Sequence, residues 1–421
     1  MSWMRDLFPI NRSLSGNGNR ETLNYLQKLI PNMTIKSFPS GKKVFDWTIP
    51  DEWNVVDAYI ETANGTKIAD FKKNNLHLVG YSESINRIVE KSELIEHLYF
   101  SSDFPDAIPY VTSYYERNWG FCLTKAQFDN LGDGPFHVFI DSNFKTGERG
   151  GVLDYGELCI PGISTQEVMF STYICHPSMA NNELSGPIVA TALARYLADV
   201  KHHYSYRFLF LPETIGSISY LNENLQSLKS KLIAGWVLTC LGDDGNFSYI
   251  PSRIGNNYAD KTSLTVLDIH ALQYQAYTWL DRGSDERQYC SPGVDLPVCS
   301  ITRSKYGTYD EYHTSADNLE FVSGASLFES YSLFVSIVSR IESQRVPKVK
   351  VLCEPQLGKR GLFSTVSRTG TYSIELLNIV NVISYLDGAH TIDEISEICQ
   401  IDRREVSQII QILDDQGLII I

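Results

Sequence analysis

Short apolar runs alternate with amphipathic stretches between residues 151 and 347. EVMFSTYIC, YRFLFLP, LIAGWVLTCL and LPVCSITR have the length and apolar content of buried strands. SGPIVATALARYLADV, GSISYLNENLQSL and ASLFESYSLFVSIVSRIES carry apolar residues at helical spacing. LTVLDIHALQYQAYTWL mixes both patterns. Such alternation predicts an α/β domain, a mixed sheet flanked by helices.

Residues 19–29 predict a helix, and from about 46 to 150 the pattern changes. DAYIETANGTKIADF alternates across Asn64-Gly65, a type I′ hairpin signal. LHLVGYS, GFCLTKAQF and HVFIDSNF extend a strand-rich pattern, with SELIEHLYF as a helical interruption. At the C-terminal end, SIELLNIVNVISYLDG, TIDEISEICQ and DRREVSQIIQILDDQG predict three helices. Thr391 and Asp402 are N-caps, Gly388 and Gly417 are stops, and LIII is a closing strand, as in a winged helix. The expected division is 1–45 with 151–347 as the α/β domain, 46–150 as an inserted β-rich module, and 348–421 as the winged helix.

Net charge narrows the partners. A chain of 421 residues with a charge of −14 has no general nucleic-acid or anionic-membrane surface. After Lys348 acidic residues outnumber basic ones, so Arg403 and Arg404 make a poor phosphate surface, and the winged helix reads as an intramolecular or protein-docking element, or part of a homo-oligomer. No run is long enough to span a bilayer, and MSWMRDLFPIN lacks the apolar core of a signal peptide, which makes the cytoplasm the expected compartment. The eight scattered cysteines form no C-x-x-C pair and are expected to be reduced and buried. Alternation along a strand would turn Cys175 away from His176.

Candidate chemistry gathers where predicted strands end, the usual place for sites in open α/β sheets. His176 follows a strand, stops at Pro177 and precedes Asn181-Asn182-Glu183 at a helix start. Glu213 ends the next strand in PETIGS. His313 lies in the polar segment YHTSADN, where Asp317 is placed to cap the following helix. Two histidines and a carboxylate so placed suggest metal ligands with a general base. Asp243 and Asp244 follow a later strand, and Asp285, Glu286 and Arg287 lie together in GSDERQY, where acidic groups could hold a substrate amine.

These segments, in order, resemble the co-catalytic zinc aminopeptidases and their glutaminyl cyclase relatives. The whole chain is similar to a bacterial family with an aminopeptidase-like domain, often labelled polysaccharide biosynthesis, through NRSLSGNGNRETL, FDWTIPDEWNVVDAYI, ICHPSMANNELSGP and GSDERQYCSPG. The resemblance places histidine ligands on His176 and His313 and the general base on Glu213. It places the metal-bridging aspartate on Asn182, a second glutamate on Thr214, and a further aspartate near Thr239. With those carboxylates replaced, one zinc ion rather than two is implied, held by His176, His313 and Glu183, with Asn182 beside them. The implied activity is hydrolysis of an amide bond, aminopeptidase-like, with Asp244, Asp285, Glu286 or Arg287 binding a small peptide or other amide substrate. Two alternatives remain: an inactive peptidase-fold scaffold, and an amide hydrolase acting on an amino-sugar or polysaccharide precursor.

Overall fold

The alternating segments assemble into one eight-stranded mixed sheet. The computed structural model describes residues 1–270, 273–362 and 373–420. Across the sheet the order is Thr34–Pro39, Val152–Ile160, Ser205–Leu211, Glu167–Tyr173, Leu232–Val237, Val298–Thr302, Phe247–Ile250 and Tyr274–Ala276. The middle strands, from Ser205–Leu211 to Val298–Thr302, are parallel, with Phe170 opposite both Phe208 and Trp236. Glu167–Tyr173 and Val298–Thr302 are buried at every position, which is why they read as unbroken apolar runs. Val152–Ile160 and Phe247–Ile250 flank them antiparallel.

On one face Phe170, Phe208 and Trp236 share a core with residues of the helices Asn17–Leu29, Ser185–Ala198, Tyr258–His270 and Gly324–Ser343. On the other, Met169, Tyr173, Leu209 and Val237 share a core with Trp53, Ala58, Phe136 and Val138 from the segment at 46–150. That segment builds its own sheet, in the order Lys67–Asp70, Glu52–Thr62, Phe136–Lys145 and Ile85–Val89. It does not form a separate core.

Several local expectations are corrected. The hairpin at Asn64-Gly65 exists, but only Gly65 takes positive φ, at 85°. A type I′ turn needs positive φ at both central residues, so the connection is a longer loop, with the Gly65 N–H donating to Thr62 O. LHLVGYS is not a strand: the Asn74 side chain caps a single turn at Asn75–His77, and isolated bridges follow at Leu78 and Gly80. In GFCLTKAQF only Phe121–Cys122 is strand, because Thr124 and Gln127 form a capping box that starts the helix Lys125–Asp129. LTVLDIHALQYQAYTWL resolves into the helix Tyr258–His270 and the strand Tyr274–Ala276, with residues 271–272 outside the described residues. Cys159 and Cys353 are exposed rather than buried, and all eight cysteines are free.

The C-terminal helices are Ile374–Ser384, Ile392–Cys399 and Arg403–Asp415, with Thr391 and Asp402 as side-chain N-caps. Ile419–Ile420 pairs with Lys348–Val349. A separate core of Val382, Ile395, Val406 and Leu413 holds this winged helix together. It meets the α/β domain at the Lys261–Glu394 ion pair, 2.7 Å long. Among the described residues no helix is long and apolar enough to cross a membrane.

Glu52 joins three parts of the fold. It accepts from Arg20 Nη2 of the helix Asn17–Leu29 at 2.6 Å, from Asn54 Nδ2 at 2.9 Å and from the Val152 N–H of the main sheet at 3.1 Å. Burial pushes its carboxyl up, but Arg20 and the other donors outweigh burial and hold it at about 2 instead of 4.5. A carboxyl depressed by folding stabilises the native state above its unfolded value, and that stability is lost as pH falls from 4.5 towards 2. Glu52→Gln should therefore lower stability by about 2 kcal/mol at neutral pH, after allowance for screening of the partly exposed Arg20. The difference from wild type should vanish in urea melts near pH 2; a constant difference across pH would refute this role.

Candidate active site

Beyond Tyr173 the chain leaves the sheet, with the Ile174 N–H still donating to Leu211 O, and turns sharply at Pro177 and Ser178, the latter at φ 41°. The next turn, Ala180–Leu184, is a π-turn, in which the Leu184 N–H reaches back to Met179 O. Wide turns of this kind are frequent at functional sites because they re-aim side chains. Here the turn aims Glu183 at His176: Nδ1 and Oε2 are 2.9 Å apart. The other carboxylate oxygen lies 3.3 Å from Nε of Arg12, and both side chains are fully buried. Arg12 Nε also donates to His176 O at 3.1 Å, and Nη1 to Leu7 O at 2.7 Å. Glu183, expected as a ligand, thus stands behind the imidazole as its orienting partner. Placing the ring proton on Nδ1 leaves the Nε2 lone pair facing Glu213.

Cys175 does not turn away as strand alternation implied. Its Sγ lies 3.6 Å from His176 Nδ1, both residues standing beyond the strand's last residue, Tyr173. Cys175, His176 and Glu183 could geometrically surround an ion. The Arg12 guanidinium against Glu183 and the burial that pushes the Cys175 thiol well up both oppose a cation on that side. The hydrogen-bonded relay is the better description.

The neighbouring strand Ser205–Leu211 delivers Glu213. Thr214 follows at φ 64° and ψ −75°, a costly conformation for a β-branched residue. It is held there from two sides: its N–H donates to Asp285 Oδ1 at 2.7 Å, and Arg287 Nη2 donates to its hydroxyl at 2.7 Å. The strained turn presents Glu213 Oε2 3.8 Å from His176 Nε2, while Ser284 Oγ donates to Oε1 at 2.8 Å.

His313, at φ 56°, brings its ring centroid to 5.1 Å from that of His176. Its Nε2 is buried without a partner. Tyr312 stacks on it at 3.9 Å. Tyr110 covers both imidazoles edge-on, 5.4 Å from His176 and 5.3 Å from His313, and its N–H donates to His313 O at 2.8 Å. Asp317 does not cap the helix that follows it. Its carboxylate accepts from the N–H groups of Asn181 and Asn182 at 2.6 and 2.8 Å, tying the His313 segment to the π-turn.

At two of the three positions where the resemblance implied carboxylates, Asn182 and Thr239, the side chains join Tyr173 in a neutral network. Asn182 Nδ2 donates to the Tyr173 hydroxyl at 2.8 Å, which pairs with Thr239 Oγ1 at 2.5 Å, and Thr239 Oγ1 donates to Asn182 O at 2.9 Å. Asn182 Oδ1 is buried without a partner.

The expected substrate-binding group is mostly engaged internally. Glu286 Oε1 accepts from the N–H groups of Gly283 and Ser284 and from the Tyr306 hydroxyl. Arg287 bonds Thr214 and Ser284 O. Asp285 Oδ1 holds Thr214 and Ser217, leaving Oδ2 buried and unpartnered. These residues form the wall that positions Glu213. Asp244 is exposed and accepts from Ser323 and Ser326 at the start of the helix Gly324–Ser343, while Asp243 holds Asn181 and Ser304.

Burial dominates the electrostatics. It lowers His176 to about 3, assisted by Arg12, and lowers His313 well below its usual value, so both rings are neutral. Burial, then the nearby Asp285, raises Glu213 to about 8; burial raises Asp285 to about 6. Neutral imidazoles beside a carboxyl poised near neutrality suit metal ligation and proton transfer. Arg12 and Tyr110 were not anticipated as parts of the site. Arg12 lies in the NRSLSGNGN segment, whose only sequence signal was its resemblance to the family.

A family model for a winged helix-turn-helix matches residues 345–420. A Clostridium acetobutylicum protein named for polysaccharide biosynthesis and an aminopeptidase-like domain is 42% identical over 394 residues, covering 93% of this chain and 89% of that protein. A crystal structure from the same organism, described as that of a peptidase candidate, is 40% identical, covers 100% of this chain and 95% of that one, and superposes with a TM-score of 0.80. The zinc aminopeptidase of Bacillus subtilis is similar in fold, with a TM-score of 0.56 at 14% identity, over 80% of this chain and 94% of that one. The architecture is therefore aminopeptidase-like, with a winged helix at the C-terminal end. With residues 1–344 matched by its model, the chain belongs to the family described as a domain of unknown function, DUF4910.

Proposed function

We propose that the protein is a mononuclear zinc-dependent hydrolase of amide bonds, aminopeptidase-like in its chemistry. One observation carries this reading: two neutral, buried imidazoles, far apart in sequence, lie with centroids 5.1 Å apart beside a carboxylate 3.8 Å from one of them. The donor set fits one ion. His313 Nε2 and Asn182 Oδ1 are buried and unpartnered, and His176 Nε2 is freed by the bond from Nδ1 to Glu183. The Tyr173–Asn182–Thr239 network carries no charge to hold a second ion. Zinc held by His176 and His313 would polarise the scissile carbonyl and acidify water. Glu213 Oε2 accepts the proton and passes it to the leaving amine, with Oε1 fixed by Ser284. Glu183 and Arg12 hold the His176 tautomer, and Tyr110 limits water access to the ring pair.

Metal analysis tests this directly. The purified protein should carry about one zinc per chain, with anomalous scattering at the zinc edge between the two imidazoles, and His313→Ala should lower occupancy severalfold. Full zinc occupancy in that variant would remove His313 from the site. Glu286 Oε1 is engaged in internal bonds and is not free to hold a substrate amine, which favours testing N-acyl sugars beside aminoacyl amides.

A further inference from the structure

A cavity lies behind the His176 turn, on the Arg12 side, and its lining does not include Glu213. It has a volume of about 700 Å³ between the N-terminal segment, the inserted sheet and Ser178, a size typical of small-molecule sites. A notch of about 10 Å³ shares Asn11, Ser13, Trp53 and Asn75 with it, and is closed by Arg12, Tyr110 and Pro177. That space suits one water-sized group.

Two buried polar groups in the notch lack partners: Arg12 Nη2, on a residue 1% exposed, and Asn75 Oδ1, on a residue 8% exposed. Buried polar groups are nearly always hydrogen-bonded, so these two are expected to meet a ligand group. The cavity carries no excess positive charge. Arg12 is matched by Glu183 and Lys72 by Asp57, while Lys73 at the rim has Asp6 and Glu21 along the same wall. Its remaining lining combines hydroxyl and amide side chains, Ser13 and Asn11, with the aromatic surfaces of Phe8 and Phe71. An anion would find no excess positive charge, and an apolar ligand would leave the amides unpaired.

We propose that this cavity binds a neutral saccharide, one of whose hydroxyls enters the notch, accepting from Arg12 Nη2 and donating to Asn75 Oδ1. A sugar hydroxyl does both at once, and its ring presents C–H faces to aromatic side chains. This site is separate from Glu213, and its occupancy is independent of any hydrolytic reaction.

Calorimetric titration of the full chain with maltotriose and with the N-acetylglucosamine trimer tests it, with inorganic phosphate as the anionic control. At least one trisaccharide should bind and phosphate should not. Asn75→Ala, which removes the acceptor, and Asn11→Trp, which fills the lining from a half-buried position, should each weaken sugar binding at least about tenfold. Absence of binding by both sugars at millimolar concentration, equal affinity in a folded variant, or uptake of phosphate instead would overturn the proposal.

Discussion

Glu213→Gln should lower kcat by about 10²–10⁴-fold while leaving zinc content unchanged. Glutamine keeps an oxygen for the Ser284 hydroxyl and preserves the strained turn at Thr214, so the change removes proton acceptance and little else. The wild-type rate should rise with pH as this carboxyl ionises. Burial and Asp285 raise it to about 8, and a bound cation would draw it lower, so the rising limb belongs at or below pH 8. Rates for aminoacyl amides and N-acyl sugars measured in parallel on both proteins would decide the matter. Unchanged turnover in the glutamine variant would exclude Glu213 as the base.

Arg12→Met should produce the largest loss of stability, about 3–5 kcal/mol, because it strips the counter-ion from a fully buried carboxylate. It also removes the donors to His176 O and Leu7 O. Loosening Glu183 frees the imidazole it orients, so zinc affinity should fall by about 10–100-fold. Denaturant melts and competitive zinc titrations check the two effects separately. Arg12→Lys should recover part of the stability and less of the affinity, since an ammonium cannot reproduce the guanidinium's spread of donors. A methionine variant as stable as wild type would show that Glu183 does not depend on Arg12.

The strand ends were legible because buried parallel strands leave unbroken apolar runs, and the polar residue that terminates each run is easy to see. His176 and Glu213 stand out that way and His313 by its place in the polar segment before a long helix, and the structure brings the three together. What stands behind them was hidden. Glu183 is a natural third ligand in the sequence because it stands one residue past the replaced aspartate and is one methylene longer; the π-turn that carries it, which decides where its carboxylate points, has no compositional signature. Asp317 was read as capping its own helix, yet it serves the N–H groups of another segment altogether. Arg12 and Tyr110 reach the site through tertiary packing, which periodicity does not encode.

One face of the main sheet shares its interior with the sheet at 46–150: Tyr173 and Leu211 belong to the same oily cluster as Trp53 and Phe136. A shortened chain lacking residues 46–150 would therefore expose a broad greasy surface and uncover the paired imidazoles in one stroke.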